Sequence, residues 1–134
     1  MIKFLDLSAQ YQSIKPEIDQ TIQRVIESSA FIGGKYVAQF EENFASFCGT
    51  NYCVGVASGL DALILAIDAF EFPKDSEIIV PSNTYIATIL AIVRNGFKPI
   101  LVEPNINTYN IDPYKIEKRI TKNTKAILVV HLYG

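Results

Sequence analysis

Apolar residues recur at helical spacing near the start of the chain. Residues 13–28 carry an apolar position every three or four residues, which predicts a helix with a single apolar stripe. Ser13 is expected to cap this helix, and Pro16 is expected in its first turn, where no backbone N–H is needed. The predicted stripe consists of Ile14, Ile18, Ile22, Val25 and Ile26.

A second helical pattern begins after Gly33 and Gly34. These paired glycines are expected to form a loop, because each is costly inside a helix. Gly49 is expected to end the second helix as a left-handed cap residue. The apolar positions predicted to face inward are Val37, Phe40, Phe44 and Phe47.

From Cys53 onward, short apolar runs alternate with helical patterns. The runs lack polar alternation, as is typical of strands covered on both faces, and the predicted strands are 53–57, 77–80, 99–103 and 125–131. The predicted helices begin at Ser58-Gly59, cover 84–95 and cover 112–120. This order predicts an α/β fold with a largely parallel sheet and helices on both faces.

Composition narrows the class of protein. Of 134 residues, 49% are hydrophobic and the net charge is −2, which excludes a disordered chain. The most apolar stretch, 60–72, contains three acidic residues, so no membrane span is predicted. The sequence has no run of basic residues, so nucleic-acid binding is not predicted. The N-terminus does not have the pattern of a signal peptide. The expected location is the cytoplasm.

Cysteine and histidine are too few for a predicted metal site. Cys48 and Cys53 are separated by four residues, and His131 is the only histidine. A structural zinc site needs about four ligands of these types. The two cysteines are therefore expected to be buried or half-buried free thiols.

The carboxyl ends of the predicted strands are the expected place for a ligand, as in other open α/β sheets. Ser58-Gly59 leads from a strand into a helix, so the N–H groups of Gly59, Leu60 and Asp61 can form an anion site, most naturally for phosphate. In the alternative interpretation, Ser58 only caps the helix and Gly59 only relieves a tight turn.

Three other residues follow predicted strands and leave alternatives open. Tyr85 can present a flat ring to a ligand or lie at the edge of the core. Glu103 can act as an acid or cap the turn at Pro104. His131 can contribute to a site or be a hydrogen-bonded structural residue. No dinucleotide-binding glycine motif or Walker loop is present.

Six motifs occur in an order that carries a family resemblance. They are 4–7 (FLDL), 31–34 with 40–45 (FIGG, FEENFA), 57–63 (ASGLDAL), 81–88 (PSNTYIAT), 108–112 (TYNID) and 130–134 (VHLYG). The whole chain resembles the N-terminal part of the DegT/DnrJ/EryC1/StrS family of pyridoxal 5′-phosphate (PLP) aminotransferases. The 57–63 and 81–88 variants look most like members that aminate C3 of dTDP-3-keto-6-deoxyhexoses.

The resemblance implies a fold and a cofactor site. The fold is the front part of an aspartate aminotransferase-like large domain, with an N-terminal helix and following loop at 1–34 and the first, truncated portion of the PLP-binding domain at 35–134. Ser58, Gly59 and Leu60 match the family's cofactor-phosphate turn. Tyr85 matches the aromatic residue that stacks on the pyridine ring. Many relatives have Thr in place of Leu60, so one hydroxyl contact to the phosphate is expected to be missing.

The resemblance also implies a reaction. The amino donor is expected to be glutamate or glutamine, the acceptor a nucleotide-linked keto sugar, and the assembly a homodimer. The family's Schiff-base lysine and the aspartate that pairs with the pyridine nitrogen are expected beyond Gly134. The 134-residue chain is therefore expected to be the front part of a longer enzyme and inactive alone. The alternative is a non-catalytic protein that binds PLP or a nucleotide sugar as a regulator or sensor, or an inactive fragment.

Overall fold

The computed structural model describes residues 4–133. Gly134, which ends the last motif, and the first three residues of the predicted 1–34 segment lie outside that range. The helices are α1 (Leu7–Ser28), α2 (Lys35–Cys48), α3 (Gly59–Asp68), α4 (Ile86–Arg94) and α5 (Pro113–Glu117). The strands are β1 (Glu77–Pro81), β2 (Lys98–Val102) and β3 (Thr124–Ile127).

Two compact units divide after Gly55. The first contains α1 and α2, and the second contains the sheet and the other helices. The division expected from the resemblance, after residue 34, stays a prediction.

Helix α1 begins earlier than its apolar stripe predicts. The Asp6 side chain accepts a hydrogen bond from the Ala9 N–H at 3.1 Å and so caps the helix, a role that the sequence assigned wrongly to Ser13. The Ser13 hydroxyl instead donates to the Gln10 carbonyl at 2.7 Å. Pro16 lies inside the helix rather than in its first turn. Aspartate and serine are about equally good helix caps. Capping by Asp6 places the start of α1 more than one turn before the predicted start.

The apolar faces of α1 and α2 are largely exposed in the described chain, so the prediction that the α2 face points inward is wrong there. Ala45 is the one buried residue of the two helices. An amphipathic helix buries its apolar face only where another element packs against it. Gly49 does end α2 in the left-handed conformation, with φ 68° and ψ 27°, as predicted. The exposed set is Ile14, Ile18, Ile22, Ile26, Val37, Phe40, Phe44 and Phe47.

The segment 53–57 is not a strand in the structure, which corrects the first strand prediction. A strand needs a neighbour to satisfy its backbone groups, and within residues 4–133 none pairs with this segment. The Gly55 N–H donates instead to Oε1 of Glu41 at 2.7 Å.

The sheet has the order β2-β1-β3, and both pairings are parallel. Ile79 in the central strand pairs with Ile100 on one side and Ile127 on the other. Strand β3 ends at Ile127, earlier than the predicted residue 131, although the Leu128 N–H still donates to the Ile79 carbonyl at 2.8 Å. The predicted parallel α/β sheet is confirmed.

Alternate residues of β1 enter two separate cores. Ile78 and Val80 pack on one face with residues of α3 and α4, while Ile79 packs on the other with Val102 and Ile111. Burial on both faces explains why the strand reads as a continuous apolar run. No helix within residues 4–133 is long and apolar enough to cross a membrane.

Candidate functional site

A cavity of about 520 Å³ opens beside the first turns of α3 and α4. It brings together the four residues that the sequence nominated for one site: Ser58, Gly59, Leu60 and Tyr85. The sequence did not single out its other lining residues, which are Leu63, Ile86, Ala87, Thr88 and Leu90. Their apolar spacing signals helix packing, and only the tertiary structure shows that they also border a cavity.

Ser58 is the cap of α3 and uses its hydroxyl within the chain. Its Oγ accepts from the Asp61 N–H at 3.2 Å and donates to Oδ2 of Asp61 at 2.7 Å. The predicted free N–H of Asp61 is therefore wrong, because Ser58 already accepts it. Ser58 therefore caps the helix, and the predicted anion site keeps two backbone donors.

Those two donors are the N–H groups of Gly59 and Leu60. They begin a ten-residue helix, and neither has an acceptor in the described part of the chain. Apart from its chain neighbours and its own helix backbone, a Cβ added at Gly59 would meet no atom of the described residues within 4 Å, so open space lies beside the turn. The Leu60 side chain packs against the α3/α4 core. Leu60 therefore offers a backbone donor to the site while its side chain stabilises the fold.

Tyr85 supplies an aromatic ring to the cavity. It occupies the cap position of α4 with extended backbone (φ −63°, ψ 142°), and its side chain makes no capping hydrogen bond. The residue is 77% exposed, so within residues 4–133 it is not packed into the core. It lies where parallel strand β1 delivers its carboxyl end, the usual ligand edge of such sheets.

Hydrogen bonds fix the two helices that frame the cavity. The Asn95 side-chain amide donates to the Ile64 carbonyl of α3 at 3.1 Å and to the Ala91 carbonyl of α4 at 2.8 Å. The hydroxyls of Thr84 and Thr88 lie 2.7 Å apart. Helices α3 and α4, which border the cavity, are therefore held together by the hydrogen bonds of Asn95.

The predicted anion site depends on backbone dipoles rather than on charged side chains. Within residues 4–133, neither a lysine nor an arginine lines the cavity. The partial positive charge at the start of α3 and the two free N–H groups are the available attraction. Asp61, in the first turn of the same helix, adds a negative charge nearby.

The other nominated residues lie away from this cavity. Glu103 is exposed and borders a small groove with Lys115, Lys118 and Arg119. His131 is exposed beyond the end of β3. Neither residue lines the cavity that holds Tyr85.

The described residues show no grouping of three or more His, Cys, Asp or Glu side chains placed to hold a metal ion. Cys48 and Cys53 are free thiols. Cys53 is half-buried as expected, whereas Cys48 is exposed at the end of α2, which corrects the expectation for that residue.

Comparison with known proteins assigns the family. Residues 12–134 match the DegT/DnrJ/EryC1/StrS aminotransferase family. The chain belongs to this family. As a member of the DegT/DnrJ/EryC1/StrS family, it shares the α/β fold of PLP aminotransferases, which solved relatives also show.

Individual members of the family cover the chain almost completely. It is 60% identical over 134 residues to the dTDP-3-amino-3,6-dideoxy-alpha-D-galactopyranose transaminase of Aneurinibacillus thermoaerophilus, and spans 37% of that protein. DesV of S. venezuelae, solved in complex with a ketimine intermediate, superposes with a TM-score of 0.89 at 44% identity, over 99% of this chain and 36% of DesV. NtdA of Bacillus subtilis, solved with bound cofactor PMP, superposes with a TM-score of 0.88 at 35% identity. The match covers 99% of this chain and 31% of NtdA. The chain thus spans about a third of these relatives.

Proposed function

We propose that the gene product carrying this chain is a PLP-dependent aminotransferase of nucleotide-sugar metabolism. It transfers an amino group from glutamate or glutamine to the keto carbon of a sugar. The sugar is a dTDP-linked 3-keto-6-deoxyhexose, and the carbon is C3. The observation that carries the proposal is the single cavity that joins the Ser58–Leu60 turn to Tyr85. Family membership and the 60% identity to a dTDP-sugar transaminase support the choice of reaction and substrate.

The residues present fit PLP or its amino form. The Gly59 and Leu60 N–H groups would hold the phosphate at the start of α3, which compensates for the missing hydroxyl at Leu60. Tyr85 would lie against the pyridine ring. Ser58 shapes the turn by capping it. When bound, the cofactor supplies an electron sink and carries the amino group between donor and acceptor.

The side chains around the cavity would orient the ring and exclude water. Leu63, Ile86 and Leu90 give the wall an apolar character. None of the eight lysines within residues 4–133 lines the cavity. We therefore assign covalent attachment of the cofactor, and proton transfer, to a lysine beyond Gly134. The aspartate that keeps the pyridine nitrogen protonated is assigned to the same region.

A cytoplasmic homodimer is part of the proposal. Two free thiols are typical of proteins from reducing compartments. The apolar row on α2, which includes Phe40, Phe44 and Phe47, needs cover that the described residues do not provide. A second copy of the protein can supply it.

The phosphate cradle, which is the pair of N–H groups of Gly59 and Leu60, is tested with pyridoxamine phosphate (PMP). This amine cannot condense with surface lysines. The protein, expressed from its own gene and freed of cofactor, is titrated with PMP and with pyridoxamine. Gly59→Val places a branched side chain in the open space beside the turn. It should weaken PMP about ten-fold, the value of one charge-assisted hydrogen bond. Pyridoxamine, which lacks the phosphate, should bind almost unchanged.

Gly59→Ala is the matched control, because it adds only a Cβ and should lose less affinity for PMP. Unfolding transitions of both variants separate ligand effects from damage to α3. Equal PMP affinity in wild type and Gly59→Val would remove the phosphate cradle from the proposal.

A further inference from the structure

Three loops meet at the carboxyl edge of the sheet through contacts that the cavity does not use. The Asn83 side-chain amide, after β1, donates to the Tyr109 carbonyl, after β2, at 2.9 Å. The ring of Tyr109 then meets the ring of Tyr133, after β3, with centroids 5.9 Å apart and planes at 80°. One residue from each strand end is thereby tied into a single cluster.

Tyr109 adopts an unusual backbone conformation in this cluster. Its φ is 57°, a left-handed value that bulky residues rarely take. The conformation is held on both sides of the residue. The Tyr109 N–H donates to the Asn105 carbonyl at 2.8 Å, and its own carbonyl accepts from Asn83. Strain held in this way, at the edge where α/β sheets bind ligands, points to function.

The two rings remain open to a ligand. Tyr109 is 50% exposed and Tyr133 is 78% exposed. An edge-to-face pair uses one edge and one face, so it leaves the other ring faces accessible. Neither tyrosine lines the cavity assigned to the cofactor. The pair is therefore available for a different part of a larger ligand.

The same short loop serves both places. Asn83 fixes Tyr109, and two residues later Tyr85 enters the cavity. A nucleotide-linked sugar is an elongated molecule, with the reacting sugar at one end and a flat base at the other. We propose that Tyr109 and Tyr133 bind the pyrimidine base of the substrate by stacking, and that Asn83 is the positioning residue that holds Tyr109 in place. This inference rests on the proposed function, because it takes the substrate class from it.

The experiment separates the ring of Tyr109 from its backbone. Asparagine tolerates the left-handed conformation, so Tyr109→Asn keeps the loop and removes the ring. The protein expressed from its own gene is titrated with dTDP, inorganic pyrophosphate and PMP. Tyr109→Asn should weaken dTDP about ten-fold, as expected for loss of one base–aromatic stack, and leave pyrophosphate and PMP unchanged. Tyr109→Phe keeps the ring and should match the wild type.

Asn83→Ala tests the positioning role. It removes the donor to the Tyr109 carbonyl and should also weaken dTDP, with PMP affinity retained. Retained dTDP affinity in Tyr109→Asn, or equal losses for dTDP and pyrophosphate, would overturn the stacking assignment. If the wild type binds dTDP but not PMP, the proposed cofactor fails while the base site stands. If it binds PMP but not dTDP, the base site fails alone.

Discussion

Ser58 and Asp61 exchange two hydrogen bonds across the first turn of α3, one to the backbone at 3.2 Å and one to the carboxylate at 2.7 Å. This reciprocal contact fixes the turn that contains Gly59 and Leu60, two residues of the cavity lining. The serine hydroxyl is therefore a structural element of the turn, and the backbone donors next to it are the proposed anion-binding element.

Removal of the cap should lower stability. Ser58→Ala deletes the acceptor for the Asp61 N–H, so the free energy of unfolding should fall by about 1 kcal/mol. Ser58→Gly should lose only a few tenths of a kcal/mol, because glycine is also tolerated at this position. Urea-induced unfolding of the chain, followed by circular dichroism, measures both values. Identical midpoints for wild type and Ser58→Ala would show that the cap contributes nothing.

The ring of Tyr85 should contribute to cofactor affinity independently of the phosphate. Tyr85→Ala removes an aromatic face worth about 1 kcal/mol, which corresponds to roughly a five-fold loss. The loss should be equal for PMP and pyridoxamine, because the contact is to the pyridine ring. Tyr85→Phe should restore both affinities. A loss confined to PMP would place Tyr85 at the phosphate instead.

A surface cluster on α1 predicts a local pH dependence. Hydrogen bonds from Lys15, and then from Tyr11, hold the pKa of the Asp19 carboxyl below its usual value. The contact also raises the pKa of Lys15, so this lysine stays an ammonium and is a poor nucleophile. Because the pKa of Asp19 is lower in the folded chain than in the unfolded chain, the contact adds to the free energy of unfolding. This stabilisation is fully present above about pH 3.9, the pKa in the unfolded chain, and is lost as the pH falls through the lower pKa of the folded chain.

The Asp19 titration can be read by NMR from its side-chain carboxyl carbon. The midpoint should lie below the ordinary value, and Lys15→Met should return it towards that value. Because the groups are exposed, the effect on global stability should be small. A midpoint at or above the ordinary aspartate value would contradict the contact.

Much of the sheet unit could be predicted from the sequence because its signals are local. The apolar run around Ile79 is buried on both faces, and such runs are typical of parallel strands. Ser58-Gly59 before an apolar helix predicted where α3 begins, and capping by Ser58 was one of the two interpretations given for it. The sequence could also place Tyr85 at the ligand edge, because the preceding strand was recognised correctly.

The first unit was harder to predict, because burial depends on partners that a periodic pattern does not name. The stripe through Ile18 and the row through Phe44 have helical spacing, yet both are exposed within the described residues. The segment at Gly55 has strand composition but lacks a neighbouring strand there. Composition indicates which secondary structure a segment can form, but a strand forms only where a neighbouring strand pairs with it.

The aromatic cluster lay beyond sequence reasoning for a different reason. Asn83 and Tyr109 are 26 positions apart, and no local pattern connects them. A tyrosine is also an unusual choice for positive φ, so turn rules do not predict its conformation. Only the three-dimensional structure brings the loops after the strands together.

The central claim is that the gene product uses PLP bound at the α3/α4 cavity for transamination. The most direct test is the intact mass of the protein expressed from its native gene, measured before and after borohydride reduction with no cofactor added. The account predicts one reduction-stable pyridoxyl phosphate adduct per chain, with lower occupancy in Gly59→Val, whose affinity for the phosphate is about ten-fold weaker. A wild-type protein that carries neither this adduct nor bound PMP would contradict the aminotransferase assignment and favour a non-catalytic binding protein.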